Sequence, residues 1–304
     1  MPQPLLFKSG FVSFIGRPNV GKSTMMNALL GEKVAIISNK PQTTRTKITG
    51  VLTCEESQII FVDTPGIHRP KSKLGEFMVR AAQSGMGDAD VVLYLVEPDE
   101  KVGPGDADIL AKLQQRGGVI FLVINKLDTV AKPKMLTVID AYQSRCTDGF
   151  AFAEIIPVSA ITGENLATLQ NNIIKHLPQG PRYFPDDVLT DQPERVLAAE
   201  FIREKLLQML EDEIPHGIAV EITTFKPREN KNMLDIEATI ICERDSHKGI
   251  VIGKAGAVLK EVGKRARLDM ERFFGQPINL QLWVKVRKDW RDSDVHLRSF
   301  GYKS

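Results

Sequence analysis

The residues Gly16-Arg17-Pro18-Asn19-Val20-Gly21-Lys22-Ser23 have the types and spacing of a phosphate-binding loop, G-x-x-x-x-G-K-S. Glycines let such a backbone curl until successive N–H groups converge on phosphate oxygens. The apolar run Phe11-Val12-Ser13-Phe14-Ile15 reads as a strand feeding the loop, and Thr24 to Leu30 as a helix leaving it. The positive N-terminal end of that helix adds to the same anion site. Lys22 would reach β- and γ-phosphates, and the Ser23 hydroxyl would hold Mg²⁺.

Two further clusters complete this chemistry. Ser57 to Val62 reads as a buried strand that delivers Asp63-Thr64-Pro65-Gly66. Asp63 is placed to take Mg²⁺ through water, and the Gly66 N–H to bond a γ-phosphate and release it after hydrolysis. Asp-Thr-Pro-Gly is also an ordinary turn, and its position directly behind a buried strand is what gives it weight. Gly118 to Ile124 reads as a strand ending in Asn125-Lys126-Leu127-Asp128. A carboxylate at Asp128 accepts two hydrogen bonds from guanine N1–H and the 2-amino group, a pair that adenine lacks. Asn125 would brace the loops, Lys126 would lie along the base, and Ser159-Ala160 would offer backbone to the guanine oxygen. Lys33 to Gly50 is polar, threonine-rich and interrupted by Pro41, so it reads as a long mobile loop. Thr44 in it could complete the Mg²⁺ shell, although the loop alone is equally a Ser/Thr-rich connector.

The elements that must position these groups alternate along the chain. Strands at 57–62, 90–96, 118–124 and 154–157 interleave with helical stretches at 73–85, 104–115, 132–146 and 165–177. That order predicts a doubly wound α/β domain with ligand loops at the strand carboxyl ends. A chain of 304 residues has room for about two domains. It has no apolar run long enough to span a bilayer, and the 15 residues ahead of Gly16 leave little room for a transit peptide. Three scattered cysteines, Cys54, Cys146 and Cys242, argue against a disulfide framework and fit a reducing cytoplasm.

Residues 7–177 resemble the TRAFAC-class GTPases, with Lys22, Thr44, Asp63 and Gly66 in the catalytic positions. The resemblance implies GTP and GDP as ligands with Mg²⁺, bound by Gly16 to Thr24, by Asp63 to Gly66, and by Asn125, Lys126, Asp128, Ser159 and Ala160. Ras-like members place a water-orienting Gln after the Gly of D-x-x-G, where this chain has Ile67, so slow intrinsic turnover is expected. In similar GTPases an Asn at the position of Asn19 helps bind K⁺ where an arginine finger would reach; here Asn19 either does so or merely caps the loop. His68 is given no role.

Pro178, Pro181, Pro185 and Pro193 mark residues 178–193 as a linker. The expected domains are therefore 1–177, a GTPase domain, and 194–304, a smaller α+β unit with a tail. Arg195 to Leu210 reads as a helix with Val196, Ala199, Phe201, Ile202, Leu206, Met209 and Leu210 toward a core, and Asp191 and Glu194 as its capping signal. Strands at 218–225, 234–242 and 278–286 surround helices at 246–252 and 257–274. Gly253-Lys254-Ala255-Gly256 joins those helices. From Arg244 to Arg291 the chain holds 12 Lys/Arg against 5 Asp/Glu, although net charge is only +2.

This α-β-β-α-α-β order with G-x-x-G resembles a type II KH domain, whose loop clamps about four single-stranded nucleotides. The resemblance puts RNA on Lys248, Gly249, Ile250, Val251, Gly253, Lys254, Ala255, Gly256, Lys260, Lys264, Arg265 and Arg267, with bases over Ile250 and Val251. The pairing of the two domains resembles the Era family of GTPases. That family implies a bacterial, cytoplasmic, monomeric protein, partly membrane-associated at the inner membrane. It also implies binding to the 3′ end of 16S rRNA on the 30S subunit and a role in small-subunit maturation. A tRNA-directed GTPase would share the Asn19 loop but carry a modification domain in place of G-x-x-G. An RNA-binding structural module with nucleotide as passive ligand is the remaining alternative. The tail 289–304 would either add RNA contacts or pack on its domain.

Overall fold

A computed structural model describes residues 7–40, 42–66, 72–87, 89–147 and 149–302. Contacts divide the chain into two compact units. One comprises Met1–Ala35, Thr44–Arg69 and Met78–Asp191; the other comprises Ile36–Thr43, Pro70–Phe77 and Gln192–Ser304.

The first unit is a six-stranded sheet in the order β2-β3-β1-β4-β5-β6. Its strands are β1 (Lys8–Ile15), β2 (Ile48–Thr53), β3 (Ser57–Asp63), β4 (Val91–Val96), β5 (Val119–Ile124) and β6 (Glu154–Pro157). Every pairing is parallel except that of β2 with β3. The interleaved helices are α1 (Lys22–Leu30), α2 (Lys73–Gly87, which belongs to this unit from Met78 on), α3 (Pro104–Arg116), α4 (Lys134–Gln143) and α5 (Leu166–His176). All six residues of β4 have zero exposure, as a strand covered on both faces requires. Strand order reverses on either side of β1, whose neighbours are β3 and β4, so the ligand crevice falls at the carboxyl end of β1.

Two features depart from the expected pattern. The loop after α1 ends at Lys47, because Ile48–Thr53 pair antiparallel with β3 as an edge strand. Its beginning is fixed by Asn27, whose Oδ1 accepts Val34 N–H at 3.0 Å and Ala35 N–H at 2.9 Å. The expected linker is also partly built into this unit. Residues 178–191 form no helix or strand, yet Ser9 N–H donates to Pro178 O (3.1 Å) and Val51 N–H to Leu189 O (2.8 Å). The Thr190 hydroxyl donates to Thr49 O at 2.6 Å, so this segment occupies edge groups that β2 would otherwise expose.

The second unit contains α6 (Glu194–Met209), β7 (Ala219–Pro227), β8 (Leu234–Cys242), α7 (Asp245–Ile252), α8 (Ala257–Phe274), β9 (Ile278–Val286) and α9 (Asp294–Ser299). Its sheet order is β7-β8-β9, with β7/β8 antiparallel and β8/β9 parallel. One sheet face packs with α6 and α8 around Phe201, Ile236, Ile240, Val262, Ala266 and Met270. The N-cap of α6 is Pro193, which makes no side-chain cap bond, rather than the expected Asp191. Val196 is 39% exposed and Leu197 and Ala198 take the buried positions instead. Arg203, Glu204 and Lys205 are buried too. Lys205 bridges Glu204 (2.7 Å) and Asp269 (2.5 Å), and Glu204 accepts Ile37 N–H at 2.8 Å. The tail packs: Trp290 is fully buried, and its indole N–H donates to Gly217 O at 2.9 Å.

Candidate functional site

The loop after β1 turns tightly enough that side chains would obstruct it. At Gly21, φ is +99° and a Cβ would lie 2.2 Å from Asn125 Nδ2. Lys22 is buried beneath the loop, its ammonium donating to Gly16 O (3.1 Å) and Arg17 O (2.9 Å). Burial lowers its pKa from 10.5 to about 8, against the opposing pull of Asp63. Burial pushes the Asp63 carboxyl up, opposed by Lys22 and by bonds from Ser23, Thr44 and the Thr64 amide.

Three oxygen groups meet at the end of the loop. Ser23 Oγ donates to Asp63 Oδ2 at 2.5 Å and lies 3.0 Å from Thr44 Oγ1, which is 3.3 Å from the same carboxylate oxygen. Asp63 Oδ1 is buried with no hydrogen-bond partner. A hydroxyl and carboxylate set with an unsatisfied buried oxygen fits a hard cation such as Mg²⁺. Thr64 anchors this strand end by donating to Phe14 O at 2.9 Å. Gly66 lies against the phosphate loop, where a Cβ would come within 2.8 Å of Pro18 N. Ile67 and His68 lie outside the described residues.

The residues expected to read the base come together on the neighbouring strand ends. Asn125 donates to Val20 O at 2.9 Å and accepts Ala160 N–H at 3.1 Å, joining the phosphate loop to the 158–160 loop. Asp128 is exposed, and its Oδ1 accepts the Ser159 hydroxyl at 2.5 Å. Lys126 pairs with Glu97 beyond β4. The Arg17 guanidinium faces buried Asp106 at 2.8 Å, with Glu97 and Asp99 at 3.8 and 3.9 Å. Its side chain is thus engaged by carboxylates and turned away from the loop's own amides. Asp106 and Glu97 carry no signal in the sequence, because neither belongs to a spaced motif.

In the second unit, α8 and β9 flank a groove of about 830 Å³. Lys260, Lys264 and Arg267 line it at helical spacing, facing Asn279, Leu280 and Leu282 of β9. Gly256 and Ala257 close its end. Lys248, Gly249 and Lys254 are exposed beside the α7–α8 turn. One expected RNA contact needs correction. Val251 has zero exposure because α7 packs it into the core, so bases cannot reach it; Ile250 remains half exposed. Arg265 lies on the same helix beside the groove lining, its side chain exposed and paired with Glu261 at 2.7 Å. The aliphatic wall comes from Leu280 and Leu282, which an alternating strand pattern assigns to the packed face without revealing the groove beside it.

The turn itself is sterically specified. Gly253 has φ +74°, and a Cβ there would lie 2.5 Å from Val258 Cγ2 and 2.9 Å from Val258 N; Gly256 has φ +76° with open space around it. Gly253→Ala is expected to destabilise the unit by about 1–3 kcal/mol, and Gly256→Ala by only about 1 kcal/mol. Melting of the two full-length variants checks this, and equal losses would contradict it.

A family model described as 50S ribosome-binding GTPase matches residues 11–126, and a KH domain model matches 213–291. GTPase Era of Clostridioides difficile is 54% identical over 298 residues, covering 98% of this chain and 99% of that protein. The chain belongs to the Era family of GTPases. GTPase Era of Caldanaerobacter subterraneus is 52% identical with the same coverage. Solved Era structures superpose at a TM-score of 0.93 over 98% of this chain and 100% of theirs. One is an Aquifex aeolicus variant bound to GDP·AlF4⁻ (43% identical); the other is in complex with MgGDPNP and nucleotides 1506–1542 of 16S ribosomal RNA (44% identical). Era membership makes the first unit a GTPase domain and the second a KH domain.

Proposed function

We propose that this chain binds GTP and GDP with Mg²⁺, hydrolyses GTP, and holds the 3′ end of 16S rRNA in its α8–β9 groove during small-subunit maturation. The observation that carries this reading is the Era complex with MgGDPNP and RNA, which matches the chain through both units. Backbone amides of residues 16–24 cradle the phosphates, Lys22 contacts the β- and γ-oxygens, and Asp128 with Asn125 selects guanine. Ser23, Thr44 and Asp63 hold Mg²⁺, which when bound neutralises charge developing on the phosphate oxygens. Asn19, at φ +66° in the loop, is assigned to K⁺. Lys260, Lys264 and Arg267 neutralise RNA phosphates. No helix among the described residues is long and apolar enough to cross a membrane, and the cytoplasm is the proposed place of action.

Turnover measured in KCl and in NaCl, each with and without RNA of the 1506–1542 sequence, tests the reading. Slow hydrolysis that rises with K⁺ and again with RNA is expected, because a chain joining switch to clamp couples the two ligands. Absence of hydrolysis in all four conditions would instead make nucleotide a passive ligand. Equal rates in the two salts would remove K⁺ from the account.

A further inference from the structure

The groove accounts for about four nucleotides of RNA, far fewer than the span of nucleotides 1506–1542 held by the Era relative. Strand β9 offers a second surface. Its residues alternate: Ile278, Leu280, Leu282, Val284 and Val286 face the core cluster, while Gln281, Trp283 and Lys285 are exposed. Trp283 is 43% exposed, an unusual position for an indole. Its cross-strand partner is Thr239, too small to cover the ring. Exposed Lys285, Arg287 and Lys288 follow it, and none of the three makes an ion pair among the described residues. The carboxylates nearest along β8 are engaged: Asp235 binds Arg228 and Asn279, and Glu237 accepts the Thr224 hydroxyl at 2.9 Å. An open aromatic face beside uncompensated cations suits a stacked base with its flanking phosphates.

We infer that the open face of β9 is a second RNA-binding surface, on which Trp283 stacks a base and Lys285, Arg287 and Lys288 hold the backbone. This rests on the rRNA-binding reading above and extends it beyond the groove. The chain has two tryptophans, and Trp290 is fully buried, so RNA-dependent quenching of fluorescence reports on Trp283.

Full-length protein is titrated with RNA of the 1506–1542 sequence and with a single-stranded oligonucleotide of about six nucleotides that fills only the groove. The long RNA is expected to quench fluorescence. Trp283→Ala should weaken it about tenfold, and Trp283→Phe should restore most of the affinity. Binding of the short oligonucleotide should be unchanged in both variants. Lys264→Glu should weaken both RNAs, which separates the groove from the sheet face. Unquenched fluorescence with unaltered long-RNA affinity in Trp283→Ala would overturn the second surface while leaving the groove intact. Failure of the short oligonucleotide alone would remove the groove and leave the sheet face standing. A fluorescence change produced by anionic phospholipid vesicles and not by RNA would assign the face to membrane and overturn the inference.

Discussion

Asp128→Asn is expected to weaken GTP and GDP binding by about 10²- to 10⁴-fold while creating affinity for xanthosine nucleotides. The carboxylate has two acceptor oxygens, and the Ser159 hydroxyl, donating to one of them at 2.5 Å, fixes how the group is presented. Guanine supplies two donors on one edge, N1–H and the 2-amino group, and each hydrogen bond to a charged acceptor is worth about 1.5–3 kcal/mol. An asparagine keeps one acceptor and turns a donor toward the 2-amino group, so one bond is lost and two donors oppose each other. Xanthine carries oxygen at that position, which the asparagine amide can serve. Titration of the four diphosphates, GDP, XDP, ADP and IDP, checks the reversal. Inosine lacks the 2-amino group and should lose one bond with the wild-type protein. Undiminished GDP affinity in Asp128→Asn would place base recognition elsewhere.

Legibility in the sequence followed how locally each feature is encoded. Strands β4 and β5 are apolar throughout because both faces are covered, and such runs are visible without any partner. Strands β8 and β9 and helix α8 occupy the expected residues, since their periodicity, and for α8 its bounding Gly256 and Gly275, act within the segment. The start of β2, Ile48–Gly50, falls in the expected loop: Ile-Thr-Gly-Val-Leu-Thr has a weak apolar pattern, and its pairing with β3 and with residues 189–190 is visible only in three dimensions. Helix α6 with its C-cap buries the expected Phe201, Ile202, Leu206 and Leu210, and only Val196 and the charged residues depart from the periodic pattern. Arg203, Glu204 and Lys205 look like solvated residues until Glu200, Asp269 and the 36–43 segment supply their partners. In the nucleotide site, every spaced motif was visible, whereas Asp106, which binds Arg17 from the first turn of α3, has no local signature. Val251 shows the opposite error, an apolar residue beside G-x-x-G that belongs to the core.

Lys22→Met should lower kcat for GTP by about 10²- to 10³-fold, the cost of removing one preorganised charge from a developing oxyanion, about 2.7–4 kcal/mol. Methionine preserves much of the side-chain volume beneath the loop, so the loss is electrostatic. GDP affinity should fall less than GTP affinity, because in the proposed site the ammonium serves both β- and γ-oxygens. The buried environment adds a signature that a packing role would not produce. Burial holds the Lys22 pKa near 8 in the free protein. Phosphate oxygens favour the charged ammonium, so nucleotide raises that pKa. Below it the group is already charged and no proton is exchanged; above about pH 8 binding must take up a proton, and affinity falls as pH rises. Calorimetry at about pH 8.5, in two buffers of different ionisation enthalpy, measures the uptake directly. Wild-type protein should absorb a fraction of a proton per GTP and Lys22→Met none. Identical uptake in the two proteins would mean that another group titrates, and the charge beneath the loop would then be permanent rather than called up by the nucleotide.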